Sequence, residues 1–430
     1  MSLVDVRRAG LKIFATPFNK ADGYGDGEFL WDEFDTTNED GGGRPTLANN
    51  GTFLRVNGLD AQTCVECHSV VSAATVPFTF GIGGSGGINN SPVFKATFID
   101  VDGKDVAGTL TQGIAEMDGR LINPPALFGT GGVQLVGKEM TEELLSIQNT
   151  AKGRPGIHEL TVKGVDFGYL VSYPDGSIDY SNIEGVDPDL VIRPFGRKGE
   201  FSSVREFDKG AMMFHFGMQP VEVFPWDADQ DGIDNEVLTG EMSALEIFIT
   251  TQERPVQIRN DREARAGFKL FESIACVDCH VPALTTREKA LRYAFPEVQD
   301  DPSANVFYSV DLTEDPAAFR RSKSGGIVVP MFSDLKRHDM GEGLAESFAG
   351  ATEQQNREFI TAKLWGVADT APYLHDGGAL TLSEAILAHG GEAEPIRELF
   401  EGLSAHDQQL ILTFLGTLRN PESPNFDILK

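Results

Sequence analysis

The chain has 430 residues and a formal net charge of −29, with 65 acidic against 36 basic side chains. A field of that sign repels phosphate backbones and excludes nucleic acid as a partner; it suits a small, basic electron-donor protein of the cytochrome or cupredoxin type, or simply keeps an acidic surface in solution. Hydrophobic residues make up 40% of the sequence, enough for more than one packed domain, yet no run reaches the ~18 consecutive apolar residues of a membrane helix.

In chain order, Met1-Ser2-Leu3-Val4-Asp5 leads directly into a helical pattern, with no secretion signal ahead of it. Residues 8–14 read Arg-Ala-Gly-Leu-Lys-Ile-Phe, and residues 265–271 read Arg-Ala-Gly-Phe-Lys-Leu-Phe. Each copy lies upstream of a Cys-x-x-Cys-His motif, Cys64-Val65-Glu66-Cys67-His68 and Cys276-Val277-Asp278-Cys279-His280, and these motifs use all four cysteines. Two thiols one helical turn apart with an imidazole directly after them are what covalent c-type haem requires: the sulfurs add to the vinyl groups and the histidine ligates iron. Paired zinc sites or redox dithiols are the alternative for such spacing. The repeat reads as a duplicated helix-plus-haem module, its first copy split by a Gly/Asp/Asn-rich insertion at residues 16–50.

Between the motifs the pattern turns to strands. Residues 92–112 alternate, residues 81–90 are glycine-rich, and residues 157–193 carry a hairpin signal at Tyr173-Pro174-Asp175-Gly176. Helical patterns return at 202–216, at 240–252 and from 351 onwards. The expectation is a mainly α protein of two cytochrome c-type haem modules, residues 1–253 and 254–430, with a β-rich insertion in and after the first.

The haems take His68 and His280 as fifth ligands, and their sixth positions decide between electron transfer and chemistry. His389 closes a helix that begins with the capping box Thr381-Leu382-Ser383-Glu384 and stops at Gly390-Gly391. Leu382, Ala385, Ile386 and His389 share one face of it, which suits an imidazole aimed at iron; a surface or helix-capping histidine is the alternative. His215, in Met212-Met213-Phe214-His215-Phe216-Gly217-Met218, and His338, in Arg337-His338-Asp339-Met340, are candidates at the N-terminal haem as ligand, proton-transfer group or packed side chain. Met218 and Met340 are thioether alternatives. Asp227, Asp229 and Asp231 followed by Gly232 begin like an EF-hand calcium loop; Leu238 stands at the twelfth position, so Glu236 would have to close the site. An acidic turn is the simpler reading. Trp226, just before it, is placed either between the haems or in ordinary packing.

Several short stretches together resemble one known family. Asn123-Pro124-Pro125-Ala126-Leu127-Phe128-Gly129, Cys279-His280-Val281-Pro282-Ala283-Leu284, Phe332-Ser333-Asp334-Leu335-Lys336-Arg337-His338-Asp339-Met340-Gly341, Leu364-Trp365-Gly366 and Tyr373-Leu374-His375-Asp376-Gly377 are similar to the bacterial di-haem cytochrome c peroxidase superfamily. The nearer likeness is to its branch of di-haem oxidoreductases, also labelled thiol oxidoreductases. That resemblance implies an electron-transfer haem in the C-terminal module, a peroxide-reacting haem in the N-terminal one, and a calcium ion between domains. In the peroxidases a methionine fourteen residues beyond the His-Asp-Gly histidine ligates the C-terminal haem. Counting from His375 reaches His389, which implies a bis-histidine haem of lower potential. His375 would then hold its turn or a haem propionate. The displaceable distal histidine that the peroxidases carry soon after their first motif has no counterpart in residues 69–90. Glu139, in Lys138-Glu139-Met140-Thr141, is the implied acid–base group, because the family places a Glu-Met pair beyond its first haem.

The expected protein is a periplasmic di-haem oxidoreductase whose leader is absent from this sequence. It would pass electrons from the C-terminal haem to an N-terminal haem that reduces hydrogen peroxide or another small oxidant. An electron carrier without catalysis, and oxygen-dependent oxidation of an organic or protein substrate on the same scaffold, are the alternatives. Thiol chemistry is not expected, since every cysteine serves a haem motif.

Overall fold

The computed structural model describes residues 2–24, 54–55, 58–59, 62–70, 91–99, 115–227, 232–294, 307–346 and 352–429. Helix α1 (Leu3–Ala15) starts at a reciprocal cap in which the Ser2 hydroxyl accepts from the Asp5 amide and the Asp5 carboxylate accepts from Ser2. After it come α2 (Thr130–Lys152), α3 (Val204–Ala211) and α4 (Thr239–Thr250). The second half holds α5 (Arg262–Ser273), α6 (Glu353–Arg357), α7 (Leu382–Leu387), α8 (Glu394–Glu401) and α9 (Ala405–Leu415).

The sequence repeat becomes a repeated helix crossing. α1 packs on α4 and α5 packs on α9, with a glycine at the contact each time. A Cβ at Gly10 would lie 2.1 Å from the Ala244 carbonyl oxygen, and one at Gly267 would lie 1.9 Å from that of Leu410. Only a residue without a side chain lets two helix backbones come this close. One turn on, Phe14 meets Phe248 and Phe271 meets Phe414, both with ring centres 5.5 Å apart. The same phenylalanines then face the motif histidines, Phe14 to His68 at 6.4 Å and Phe271 to His280 at 6.3 Å.

Among the described residues the chain is mixed rather than mainly α, which corrects the expectation: several small sheets accompany the helices. The hairpin near Tyr173 is present, as Gly156–Val162, Val165–Ser172 and Ile178–Asp179 in an antiparallel sheet. Ser91–Ile99 pairs antiparallel with Ala115–Ile122. Ala290–Ala294 pairs antiparallel with Phe307–Asp311, and further strands, such as Leu284–Thr285 on Ile327–Val329 and Arg337–Asp339 on Glu358–Ile360, are two or three residues long. Strands that short show no alternation for a sequence pattern to reveal. A large core gathers α1, α2, α4 and also Leu284, Leu291, Tyr293, Val310, Leu312, Phe319, Val329, Met331 and Trp365, so strands of the second half pack on the first. A smaller core forms around Phe271, Phe332, Phe400, Ile411 and Phe414.

Candidate haem centres

In the second module Cys276–Asp278 form a single tight turn that delivers His280 beneath Phe271. The His280 Nδ1–H donates to the Phe332 carbonyl at 3.1 Å. His389, just beyond α7, donates from Nδ1 to the Ala385 carbonyl at 2.8 Å. With both Nδ1 atoms engaged, each ring keeps its Nε2 lone pair for a metal, as such hydrogen bonds ordinarily fix the tautomer. The two ring centres are 6.4 Å apart and the planes are inclined by 57°. Two imidazoles on opposite sides of one metal, with bonds of about 2 Å and ring centres about 1 Å further back, stand roughly 6 Å apart. Burial, followed by the proximity of His389, lowers the His280 pKa to about 4, and burial lowers that of His389 as well. Both rings are thus neutral, the state a ligand needs.

The first module repeats the arrangement with one difference. Cys64–Glu66 form the tight turn, and the His68 Nδ1–H donates to the Pro125 carbonyl at 3.0 Å. Burial again comes first in lowering the His68 pKa to about 4, and His215 comes second, so the two imidazoles are close enough to oppose each other's charge. His215 lies not on an α-helical end but within a five-residue π-helical turn, Met212–Phe216, that continues α3. Such turns are rare and often mark functional positions. The cysteines of each motif are free thiols, and burial raises the pKa of Cys64 strongly and that of Cys276 to about 12. Half-buried thiols next to neutral, oriented imidazoles fit covalent haem at both sites.

The Pro125 carbonyl is held by its own neighbourhood. The Asn123 amide donates to the His375 carbonyl at 2.8 Å, and its side-chain Nδ2 donates to Pro372 and Leu374 carbonyls at 2.7 and 3.0 Å. The segment that orients His68 is therefore clasped to the His375 turn of the other module. Sequence reasoning missed this, because two of the groups that matter, Pro125 and Phe332, act through backbone carbonyls. The His375 ring stacks on Phe359 at 4.6 Å, with the Lys198 ammonium 3.4 Å from that ring's centre, and burial lowers the pKa of His375.

Two of the expected roles do not match the placement. His338 lies beside Cys279 in the second module, not at the first haem motif. Its Nε2 is 2.9 Å from Asp334 and its Nδ1 is 2.7 Å from Glu392. Burial works against its charge, but Asp334 first and then Cys279 raise its pKa to about 11. A ring that donates to carboxylates from both nitrogens has no lone pair for iron. Glu139 is buried, with Lys163 at 2.7 Å, and accepts from the backbone amides of Arg287 and Glu288 at 2.9 Å. Burial raises its pKa, but the Glu288 amide, Lys163 and the Arg287 amide together leave it lowered, so Glu139 is an ionised clasp between α2 and the second half.

Of the calcium candidates, Asp229 and Asp231 lie outside the described residues. Asp227 accepts from the Gly232 amide at 3.1 Å, and Glu236 accepts from the Gln219 amide at 2.7 Å. Trp226 is 61% exposed and meets Phe224 edge-on, a position at the surface rather than between buried sites. Among the described residues Trp365 is buried: a Cβ at Gly129 would come within 2.7 Å of it. Met218 is buried in the larger core. No helix among the described residues is long and apolar enough to cross a membrane.

Known proteins agree with this reading of the motifs. Residues 247–418 match the model of the family described as "Di-haem oxidoreductase, putative peroxidase". Cytochrome-c peroxidase IdrP2 of Pseudomonas sp. (strain SCT) is 29% identical over 162 residues, 36% of this chain and 39% of that protein. Among solved structures, hydrazine synthase of Kuenenia stuttgartiensis overlaps 60% of this chain and 78% of its own, at 17% identity and a TM-score of 0.29. A MauG-like protein associated with microbial copper homeostasis overlaps 58% and 78%, at 16% identity and a TM-score of 0.26. Overlaps that weak add nothing to the fold described above. Over residues 247–418, which include the second haem motif, the chain is similar to the di-haem oxidoreductase family, and it spans about two-fifths of the curated peroxidase it matches.

Proposed function

We propose that this is a periplasmic c-type di-haem oxidoreductase that reduces hydrogen peroxide to water with electrons from a small donor protein. Bound haem supplies one-electron transfer at both sites and peroxide O–O cleavage where the iron has an exchangeable position. The overall reaction takes two electrons and two protons per peroxide and yields two waters. His280 and His389 hold the electron-entry site, and His68 holds the reactive one. Pro125 and Phe332 fix the proximal rings through their carbonyls. His215 is the exchangeable group that admits peroxide.

The observation that carries this reading is the unequal support of the two distal histidines. His389 follows a capped α-helix with its Nδ1 bound to Ala385, whereas His215 lies on a π-helical turn. Holding the first fixed favours fast electron transfer, and a looser second one favours ligand exchange. One observation favours a plain electron carrier instead: His215 stands close to His68, as His389 does to His280.

Electron paramagnetic resonance of the fully oxidised and half-reduced protein, with and without peroxide, separates the two. The proposed activity requires a high-spin ferric signal, or one that emerges on half-reduction, together with peroxide consumption. Two low-spin signals that persist after half-reduction and do not respond to peroxide would leave the carrier. We also assign one calcium ion to the loop of Asp227, Asp229, Asp231 and Glu236, on its carboxylate spacing. Calorimetric titration with calcium chloride tests that assignment, and no heat of binding would reject it.

A further inference from the structure

The helices that lead to the two distal histidines can be compared position by position. Seven, four and three residues before His389 stand Leu382, Ala385 and Ile386; at the same distances before His215 stand Asp208, Ala211 and Met212. Two of the three positions keep an apolar or small residue. At the third, the second module packs Leu382 on its core, while the first module has a carboxylate.

That carboxylate is enclosed. Asp208 is 5% exposed, and its Oδ2 has no hydrogen-bond partner among the described residues. The charged and titratable groups that act on it come from three elements. Arg205 precedes it on α3, Glu246 reaches it from α4, and Cys64 belongs to the first haem motif. Arg205 opposes the shift only in part, its guanidinium donating to Glu222 at 3.0 Å and to Glu246 at 3.2 Å. Glu246 is also acidic and buried, and it adds repulsion. A lone buried carboxylate beside a second acid retains a proton far more readily than one in water, and both burial and Glu246 act in that direction. Its charge also disfavours ionisation of the Cys64 thiol, which places it within electrostatic reach of the haem-attachment turn.

We propose that Asp208 is the proton-holding residue of the N-terminal haem pocket, taking up one proton from solvent when the haem at Cys64–His68 accepts one electron and releasing it on reoxidation. The assignment rests on haem attachment at that motif. The electron comes from a one-electron donor, so each transfer is matched by one proton and the buried net charge stays constant. In low dielectric, adding an electron beside an ionised carboxylate costs more than adding it beside a neutral one, which is the physical origin of the coupling. The second module has Leu382 at the matching position and so lacks this carboxylate.

Spectroelectrochemical titration of the haem-loaded protein over a range of pH is the test, with dithionite as reductant and haem content checked by the pyridine haemochrome. The expected result is a midpoint potential of the N-terminal haem that falls as pH rises. Its limiting slope is about 59 mV for each tenfold change in proton concentration, the one-electron value. Asp208→Asn should flatten that slope. Reduced-minus-oxidised infrared spectra of wild-type protein labelled with carboxyl-¹³C aspartate should show a protonated-carboxyl band that moves with the label. In Asp208→Glu the band should persist but no longer move. Two haems with a flat slope, or a carboxyl band insensitive to the aspartate label, would overturn the role of Asp208 alone. A wild-type haemochrome showing one haem would overturn attachment at the first motif, and the proposal with it. If Asp208→Asn fails to mature, the labelled wild-type and Asp208→Glu spectra still decide.

Discussion

The helix crossing at Gly267 supports a sharp quantitative prediction. Gly267 sits within α5 at an ordinary helical conformation, so alanine is barred by its neighbours and not by its backbone. A Cβ there would meet the Leu410 carbonyl oxygen at 1.9 Å and the Phe414 Cβ at 3.0 Å, where ordinary contacts begin at 3.4 Å. Relief requires α5 and α9 to part by about 1.5 Å, a gap that forfeits most of the dispersion energy across the seam. Phe414 is the hub of that seam, with Phe268, Phe271 and Phe332 at 5.1, 5.5 and 5.7 Å. Alanine gains about 0.5–1 kcal/mol over glycine inside a helix. Overpacking of this kind costs about 1–3 kcal/mol, or more where backbone must move. The net loss for Gly267→Ala is therefore about 1 kcal/mol, and more where the backbone moves, a fall of at least roughly 2–4 °C in Tm for a unit of this size. Scanning calorimetry of the haem-loaded protein measures it, with Gly240→Ala as the internal control. Gly240 lies in the first turn of α4 with nothing within 4 Å of its Cβ direction, so alanine there should raise Tm slightly. Should Gly267→Ala prove as stable as Gly240→Ala, the close crossing is not what holds the module together.

Three further outcomes follow from the sites. His389→Met should raise the midpoint potential of the C-terminal haem, since a thioether ligand favours the ferrous state more than imidazole does; a spectroelectrochemical titration reads it, and an unchanged potential would remove His389 from the coordination sphere. Glu139→Gln should lower stability to denaturant because it weakens the clasp to Lys163, Arg287 and Glu288, yet leave the peroxide reaction within a few-fold; a loss on the order of 10²–10⁴ in rate at unchanged stability would restore Glu139 as the acid–base group. His338 has its pKa raised to about 11, above its unfolded value, so its ion pairs stabilise the protein fully below the unfolded pKa of about 6.5 and are lost as pH rises through about 11. Wild-type protein should accordingly lose more stability than His338→Gln between neutral pH and pH about 11; parallel curves would show that His338 is not held charged.

What could be read in the sequence, and what could not, divides along physical lines. The two Cys-x-x-Cys-His motifs were legible because the chemistry they suggest demands fixed residue types at fixed spacing. The capping box at Thr381 and the apolar face ending at His389 were legible because helical periodicity is local, and the two rings do face each other. The repeated Gly and Phe were visible as letters, but their meaning was not: Gly10 and Gly267 are there for the partner helices α4 and α9, which lie far along the chain. The surroundings of Glu139 and His338 were out of reach for a similar reason. Their neighbours Lys163, Arg287, Asp334 and Glu392 include distant residues that no spacing rule connects to them.

The duplication then gives a way to separate scaffold from function within one chain. Features that recur in both modules, namely the glycine crossing, the phenylalanine over the motif imidazole and the carbonyl bound to its Nδ1, are what a shared haem-holding scaffold would keep under the proposed function. Features that differ are where the two haems can be given different work. Those differences cluster on the distal side: a capped α-helix against a π-helical turn before the histidine, and Leu382 against Asp208 seven residues upstream. A pair of haems built alike would exchange electrons and do little else. On the proposed function, a looser turn before His215 and a buried carboxylate on the helix leading to it would alter ligand exchange and proton affinity at that haem alone, while the shared scaffold stays intact.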